Sequence, residues 1–369
     1  MTAPSPRPGI LDIRPYKGGN ADIEDQSTII NLSANETPLG ASPHAVAAVA
    51  AAAKTLHRYP DGDSAHLRQA LAAHYDLDPE RIICSNGSDE LISLLTLAYA
   101  GPGDEIIYSR HGFLMYPLSA MGCGAIPIAA PETDYVADVD NVLAKVTSRT
   151  KIVFLANPNN PTGTYLSGAE LQRLRAGLRG DVLLVIDAAY AEYVNRNDYS
   201  SGMEMVHDSD NVVMTRTFSK IYGLAGLRVG WAYAPQNVIA VLHRVRGPFN
   251  VNVMAQSGAV AALQDAAHTE ASRLHNDQWL PWLTRELGDL GLDVLPSVGN
   301  FVLARFADGP DGPKGSVAAA AHLNARSIVP RGMHGYGLPE AIRITVGTEA
   351  ENQAVVAALK DFLGSGNER

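Results

Sequence analysis

Of the seven lysines in this chain, at 17, 54, 145, 151, 220, 314 and 360, only Lys220 stands among small and apolar residues. It lies in Thr215-Arg-Thr-Phe-Ser-Lys-Ile-Tyr-Gly-Leu-Ala-Gly-Leu-Arg-Val-Gly-Trp-Ala-Tyr233. Poor hydration favours the neutral amine, the nucleophile that condenses with a carbonyl to give an imine. The other six fall at element edges, in helical patterns or in polar loops, where a solvated ammonium is expected. Thr217, Ser219 and Arg228 offer two hydroxyls and a guanidinium, a donor set suited to phosphate. A lysine beside a phosphate cradle points to pyridoxal phosphate, which carries both an aldehyde and a phosphate. Thr217-Phe-Ser-Lys220 also fits a loose Ser/Thr-x-x-Lys acyl-enzyme pattern, but the Lys-Thr-Gly partner of that pattern is absent.

The elements that must hold these groups follow from the rest of the chain. A length of 369 residues suggests one large and one smaller domain, and 46% hydrophobic residues allow a sizeable core. A net charge of -10 argues against a nucleic-acid surface. The longest apolar run, Ala45 to Ala53, is too short to span a bilayer, and the first residues lack the apolar core of a signal peptide. Cys84 and Cys123 form no CxxC pattern, and the eleven histidines show no HExxH spacing, so neither a disulfide framework nor a metal site is expected. Cytoplasm is the default expectation.

Residues 1–40 are rich in Pro, Gly, Asn and Asp and read as an extended arm. Ser42-Pro43 opens a helix, and Asp63 is placed to cap the next. From Arg81 onward strands are expected at 81–85, 104–109, 125–130, 151–156, 182–187 and 211–216, with helices between most of them. Continuous apolar runs such as Val182-Leu-Leu-Val-Ile186 suit strands covered on both faces. The fold class is α/β, with a mostly parallel sheet covered by helices. Ser167-Gly-Ala-Glu170 reads as a capping box. After Tyr233 helices are expected at 235–245, 252–265 and 268–290. Short strands at 292–295, 300–305, 326–329 and 341–346 then surround a helix near 315–325, a smaller α+β domain. The division is 1–40 arm, 41–262 large cofactor-binding domain, and 263–369 small domain with the arm packing near it.

In such sheets ligands sit beyond the carboxyl ends of the strands. Gly87, Ser88 and Asp89 follow a strand and open a helix, offering backbone N–H groups and a hydroxyl to an anion. Asn157-Pro-Asn-Asn-Pro-Thr-Gly163 is a strong turn sequence, although turn chemistry does not account for three asparagines. Asp187 ends an apolar strand, where a buried carboxylate needs a cationic partner such as a pyridinium nitrogen. Arg343, in the strand Ala341-Ile-Arg-Ile-Thr-Val346, is equally costly to bury unpaired. A structural ion pair remains open for Arg331 and Arg343.

The lysine segment and these clusters together resemble the fold-type I pyridoxal-phosphate-dependent aminotransferases of class I/II, in particular the histidinol-phosphate aminotransferase branch. The matches run from Tyr16 to Arg343. The resemblance implies that Lys220 holds the cofactor as a Schiff base and, once released, shuttles the substrate proton. It implies that Asp187 keeps the ring nitrogen protonated, that Asn160 and Tyr190 reach the phenolic oxygen, and that Phe113 stacks on the ring, where many relatives have Tyr. Tyr16 and Asn35 would belong to an arm lying over the active site. Tyr59 would cross a dimer interface to the partner's cofactor phosphate, making a homodimer with shared sites. Arg343 would take the substrate carboxylate, with Arg331 helping at a second anionic group. The implied reaction moves an amino group between L-histidinol phosphate and 2-oxoglutarate, a step of histidine biosynthesis. An aromatic amino acid aminotransferase and a threonine-phosphate decarboxylase remain as alternatives. A nicotinamide oxidoreductase is disfavoured because no GxGxxG follows a strand. A non-catalytic binding protein of this fold should have lost Lys220, Asp187 or Arg343, and all three are present.

Overall fold

Alternate residues of the apolar runs face opposite sides of one sheet, and that alternation divides the core in two. Leu184 and Ile186 pack with Val153 and Met214 on one face. Leu183 and Val185 pack with Ile152, Phe154 and Val213 on the other. Each such fully buried aliphatic side chain contributes roughly 1.5–3 kcal/mol. The computed structural model describes residues 5–15 and 29–364.

The sheet has seven strands in the spatial order Ile82–Ser85, Gly230–Tyr233, Val212–Thr217, Leu183–Asp187, Thr150–Ala156, Glu105–Ser109 and Ile126–Ala130. Six were expected, each within a residue of its observed bounds, and they run parallel. Gly230–Tyr233 is antiparallel to both neighbours and was not anticipated. It is four residues long and follows the lysine motif at once, so its pattern has no room to show. It also turns the chain back beside the strand that leads to Lys220.

A second sheet, of four antiparallel strands, is ordered Asp293–Val294, Phe301–Arg305, Ala341–Thr345, Arg331–Gly332. Helices Ala266–Asp289, Ser316–Asn324 and Glu349–Gly364 accompany it, and Leu283, Leu287, Val302, Ile342, Ile344, Val355 and Leu359 build a core of its own. Ile328–Val329, part of the short strand expected at 326–329, lies outside this sheet and pairs in parallel with Ile30–Asn31. That pairing leads the chain after residue 31 toward the region between the sheets.

Two of the three expected helix caps form. The Ser42 hydroxyl accepts from Ala45 N–H with Pro43 in the first turn, and Ser167 accepts from Glu170 N–H. The Asp63 cap is not formed. Asp61 accepts from Asp63 N–H at 3.0 Å and Ala65 N–H at 2.7 Å, while Asp63 pairs with Arg246.

Candidate active site

The carboxyl ends of the parallel strands open onto a cavity of about 310 Å³, closed from the other side by the second sheet and by residues 33–36. Lys220, three residues past Val212–Thr217, lines it and donates from Nζ to Ala34 carbonyl oxygen at 2.9 Å. Burial, and after it the Arg343 guanidinium, lower the Lys220 pKa to about 8. A neutral amine is therefore within reach at neutral pH.

Asp187 terminates its strand and is 5% exposed. Oδ2 accepts from the Tyr116 hydroxyl at 2.9 Å, and Oδ1 has no hydrogen-bond partner among the described residues. Burial raises its pKa to about 6, against the hydrogen bond from Tyr116. Tyr116 stacks on Phe154 at 4.9 Å and meets Phe113 edge-on at 5.9 Å. The sequence alone gives Tyr116 no role, because only the fold brings its hydroxyl to a residue 71 positions away.

The asparagine-rich turn divides its work. Asn157 donates to Leu166 and Ser200 carbonyls and accepts from Leu166 N–H, and Asn159 donates to Thr162 Oγ1 and His111 carbonyl oxygen. These two hold the loop. Asn160 lines the cavity, and its Oδ1 accepts from Arg343 Nη1. Its Nδ2 is thereby left to donate to a ligand.

Opposite, Gly87 at φ 79° caps the helix Ser88–Tyr99. A Cβ there would stand 2.4 Å from Arg228 Nη2, and one on Gly230 would stand 2.5 Å from Ser88 N, so only glycine allows this close approach. Arg228 donates to Ser219 Oγ at 3.2 Å and pairs with Asp89 at 3.1 Å. Ser88, Asp89, Thr217, Ser219 and Arg228 all line one end of the cavity. A helix N-terminus, hydroxyls and a guanidinium meeting in one place form an anion cradle.

At the other end, strand alternation sends Ile342 and Ile344 into the second core and Arg343 and Thr345 toward the cavity. Arg343 is 5% exposed, donates to Ser33 carbonyl oxygen at 2.5 Å, and lies 5.4 Å over the Phe301 ring. Arg331 is its register partner on the next strand and lines the same cavity. Asn35 receives the Thr345 hydroxyl at 3.2 Å and donates from Nδ2 to the Tyr190 hydroxyl at 2.8 Å. Tyr190 thus keeps its own proton to give. Burial raises its pKa, with Arg343 pulling it down.

Tyr59 is not in the cavity. It is 81% exposed and stacks on Phe249 at 4.6 Å. Tyr16 lies outside the described residues. Tyr336, a cavity wall unforeseen from sequence, sits in the glycine-rich turn His334–Tyr336, which has no periodic pattern to announce it. No cluster of metal-ligating residues occurs among the described residues.

The donor set fits pyridoxal phosphate. The unpaired Oδ1 of Asp187 suits a protonated ring nitrogen, the cradle suits a phosphate, and Lys220 suits an aldehyde.

Comparisons with known proteins agree with that chemistry. The family model "Aminotransferase class I and II" matches residues 27–359. The chain is 59% identical over 365 residues to the histidinol-phosphate aminotransferase of Paramagnetospirillum magneticum, covering 99% of this chain and 100% of that one. It is 54% identical over 360 residues to that of Rhodospirillum rubrum, covering 98% and 97%. Among solved structures, the histidinol-phosphate aminotransferase of Sinorhizobium meliloti in complex with pyridoxal-5'-phosphate superposes with TM-score 0.84 at 28% identity, covering 91% of each chain.

Proposed function

Because this chain belongs to the class I and II aminotransferase family, we propose that it moves an amino group between L-histidinol phosphate and 2-oxoglutarate, in histidine biosynthesis. The observation that carries the substrate reading is the pair Arg331 and Arg343, in direct register and lining the cavity that holds Lys220. Two guanidinium groups lining one cavity are a donor set suited to a phosphate or a second carboxylate. Relatives more than 50% identical over nearly the full chain carry that activity in their names.

Pyridoxal phosphate, when bound, supplies an aldehyde that accepts the amino group and a ring that takes up the electron pair left at the substrate Cα. Ser88, Thr217, Ser219, Arg228 and the helix N-terminus at Gly87 would hold its phosphate. Asp89 acts through its pair with Arg228. Phe113 would cover one ring face, and Asp187 would hold a proton on the ring nitrogen, its negative charge stabilised in return. Asn160 Nδ2 and the Tyr190 hydroxyl would donate to the phenolic oxygen. Lys220 Nζ, with its lowered pKa, removes the proton at Cα as a base and returns one as an acid. Arg343 orients the substrate carboxylate, and Arg331 adds the charge that a phosphate or second carboxylate needs.

The same reading makes the active unit a homodimer, with Tyr59 reaching the partner's cofactor phosphate and Tyr16 and Asn35 belonging to the arm over the site. It divides the chain into an arm (1–40), a cofactor-binding domain (41–262) and a small domain (263–369). Two buried free thiols suit a reducing compartment, the cytoplasm. No helix among the described residues is long and apolar enough to cross a membrane. A panel of amino donors with 2-oxoglutarate tests the substrate: histidinol phosphate should give the highest kcat/KM. Preference for phenylalanine or tyrosine would replace the proposal with an aromatic aminotransferase.

A further inference from the structure

On the face of the strand Val212–Thr217 turned from the cavity lies a buried polar cluster that no role above uses. Arg216 stands between Thr215 and Thr217, so alternation points its side chain away from the cradle. Its Nη1 meets Glu192 Oε1 at 3.2 Å, both side chains 10% exposed. The Tyr75 hydroxyl donates to the same oxygen at 3.4 Å and lies 2.9 Å from the Tyr222 hydroxyl. Tyr75 has one hydroxyl hydrogen, so with it given to Glu192 the donor in the second bond is Tyr222. The Arg216 guanidinium covers the Tyr75 ring at 4.9 Å, and Tyr75 stacks on Trp231, the cross-strand neighbour of Arg216.

The sequence positions give this chain of bonds its meaning. Glu192 is two residues past Tyr190, Arg216 directly precedes Thr217, and Tyr222 is two residues past Lys220. The cluster ties together from behind the three segments that present those groups to the cavity. Stability alone is a weak reason for it. A buried ion pair is often matched or bettered by apolar residues of similar size, and Arg216 Nε has no hydrogen-bond partner among the described residues.

We propose that Arg216, Glu192 and Tyr222 are positioning residues, a strut that sets the spacing between Lys220 and Tyr190 for proton transfer. The proposal rests on the reading of Lys220 and Tyr190 given above.

The holoenzyme tests it with Arg216→Met/Glu192→Met, which removes both charges together, and with Tyr222→Phe, which removes one oxygen and leaves the ion pair in place. Three quantities are read: melting temperature, the kcat and KM for the preferred donor, and the pH midpoint of the visible absorption of the bound cofactor. The double variant should melt within a few degrees of wild type and keep KM within about twofold. Its kcat should fall about tenfold or more, and its absorption midpoint should move. Tyr222→Phe should move the midpoint the same way, with a kcat loss of about threefold or more, and it decides alone if the double variant does not fold. Wild-type kcat and midpoint in a folded double variant, or in Tyr222→Phe, overturn the strut. If Lys220→Ala keeps turnover, the site reading fails and takes the strut with it. An inactive Lys220→Ala beside fully active strut variants removes the strut alone.

Discussion

Arg331 and Arg343 stand directly opposite each other across two antiparallel strands, and both side chains line the same cavity. Arg343 is additionally engaged by Asn160 Oδ1 and the Ser33 carbonyl, which hold its guanidinium in place. Arg343 is buried and Arg331 half-buried, so the two present charges of different exposure to an anion.

The first prediction follows from that asymmetry. Histidinol phosphate and glutamate each bring an anionic group needing both arginines, while phenylalanine has only its α-carboxylate. Each charge-assisted bond is worth roughly 1.5–3 kcal/mol. Arg331→Ala should lower kcat/KM for the first two donors by more than about tenfold and largely spare phenylalanine. Equal losses for all three would make Arg331 a structural residue.

Among the described residues, Lys220 is the one lysine that lines the cavity. Lys220→Ala should abolish turnover while the cradle of Ser88, Ser219 and Arg228 still retains the cofactor noncovalently. Borohydride trapping followed by peptide mapping checks this. An adduct on another lysine would remove Lys220 from its role.

Asp187 yields a prediction with two opposite signs. In the cofactor-free protein its pKa is about 6, above the ordinary 3.8. Between those values the folded chain holds a proton that the unfolded chain has lost, so stability falls as pH rises through this window and stays low above it. The cost is on the order of 3 kcal/mol. Asp187→Asn should therefore raise the melting temperature of the cofactor-free protein at pH 7.5 by a few degrees, a gain that shrinks toward pH 4. The same change should weaken cofactor binding and reduce kcat by about a hundredfold or more, since an amide cannot hold the ring proton. Near-normal turnover, or a destabilised cofactor-free variant at pH 7.5, would contradict this account.

Tyr59 and Phe249 form an exposed aromatic stack outside the cavity. Mixed dimers of Tyr59→Phe and Lys220→Ala protomers contain one site free of both changes. Turnover per site above that of either parent is expected. A monomer that is fully active at assay concentration would reject shared sites.

Much of this molecule is written in local pattern. Apolar runs such as Leu183–Asp187 and Thr150–Ala156 announce strands of the large sheet because burial on both faces imposes continuous hydrophobicity on a short segment. Residues just beyond those strands, Asp187, Asn157–Asn160 and Thr217–Lys220, were legible as chemistry for the same reason: their polarity interrupts an apolar context. Ser42 and Ser167 were legible because a cap is completed within three residues.

What the sequence left undecided depends on partners far along the chain. Nothing near Asp61 and Asp63 told which one caps the helix, since the second finds Arg246 only after folding. Tyr116 acquires Asp187, Asn160 acquires Arg343, and Lys220 acquires the carbonyl of Ala34 across 186 residues. Gly230–Tyr233 is a strand by virtue of its two neighbours, pairing with Ile82–Ser85 on one side and Val212–Thr217 on the other. Residue type and strand period determined which groups could do chemistry here. Tertiary packing decided which oxygen of Asp187 stays unpaired and which amine loses its water, because desolvation and hydrogen-bond geometry belong to the assembled cavity and not to any one segment.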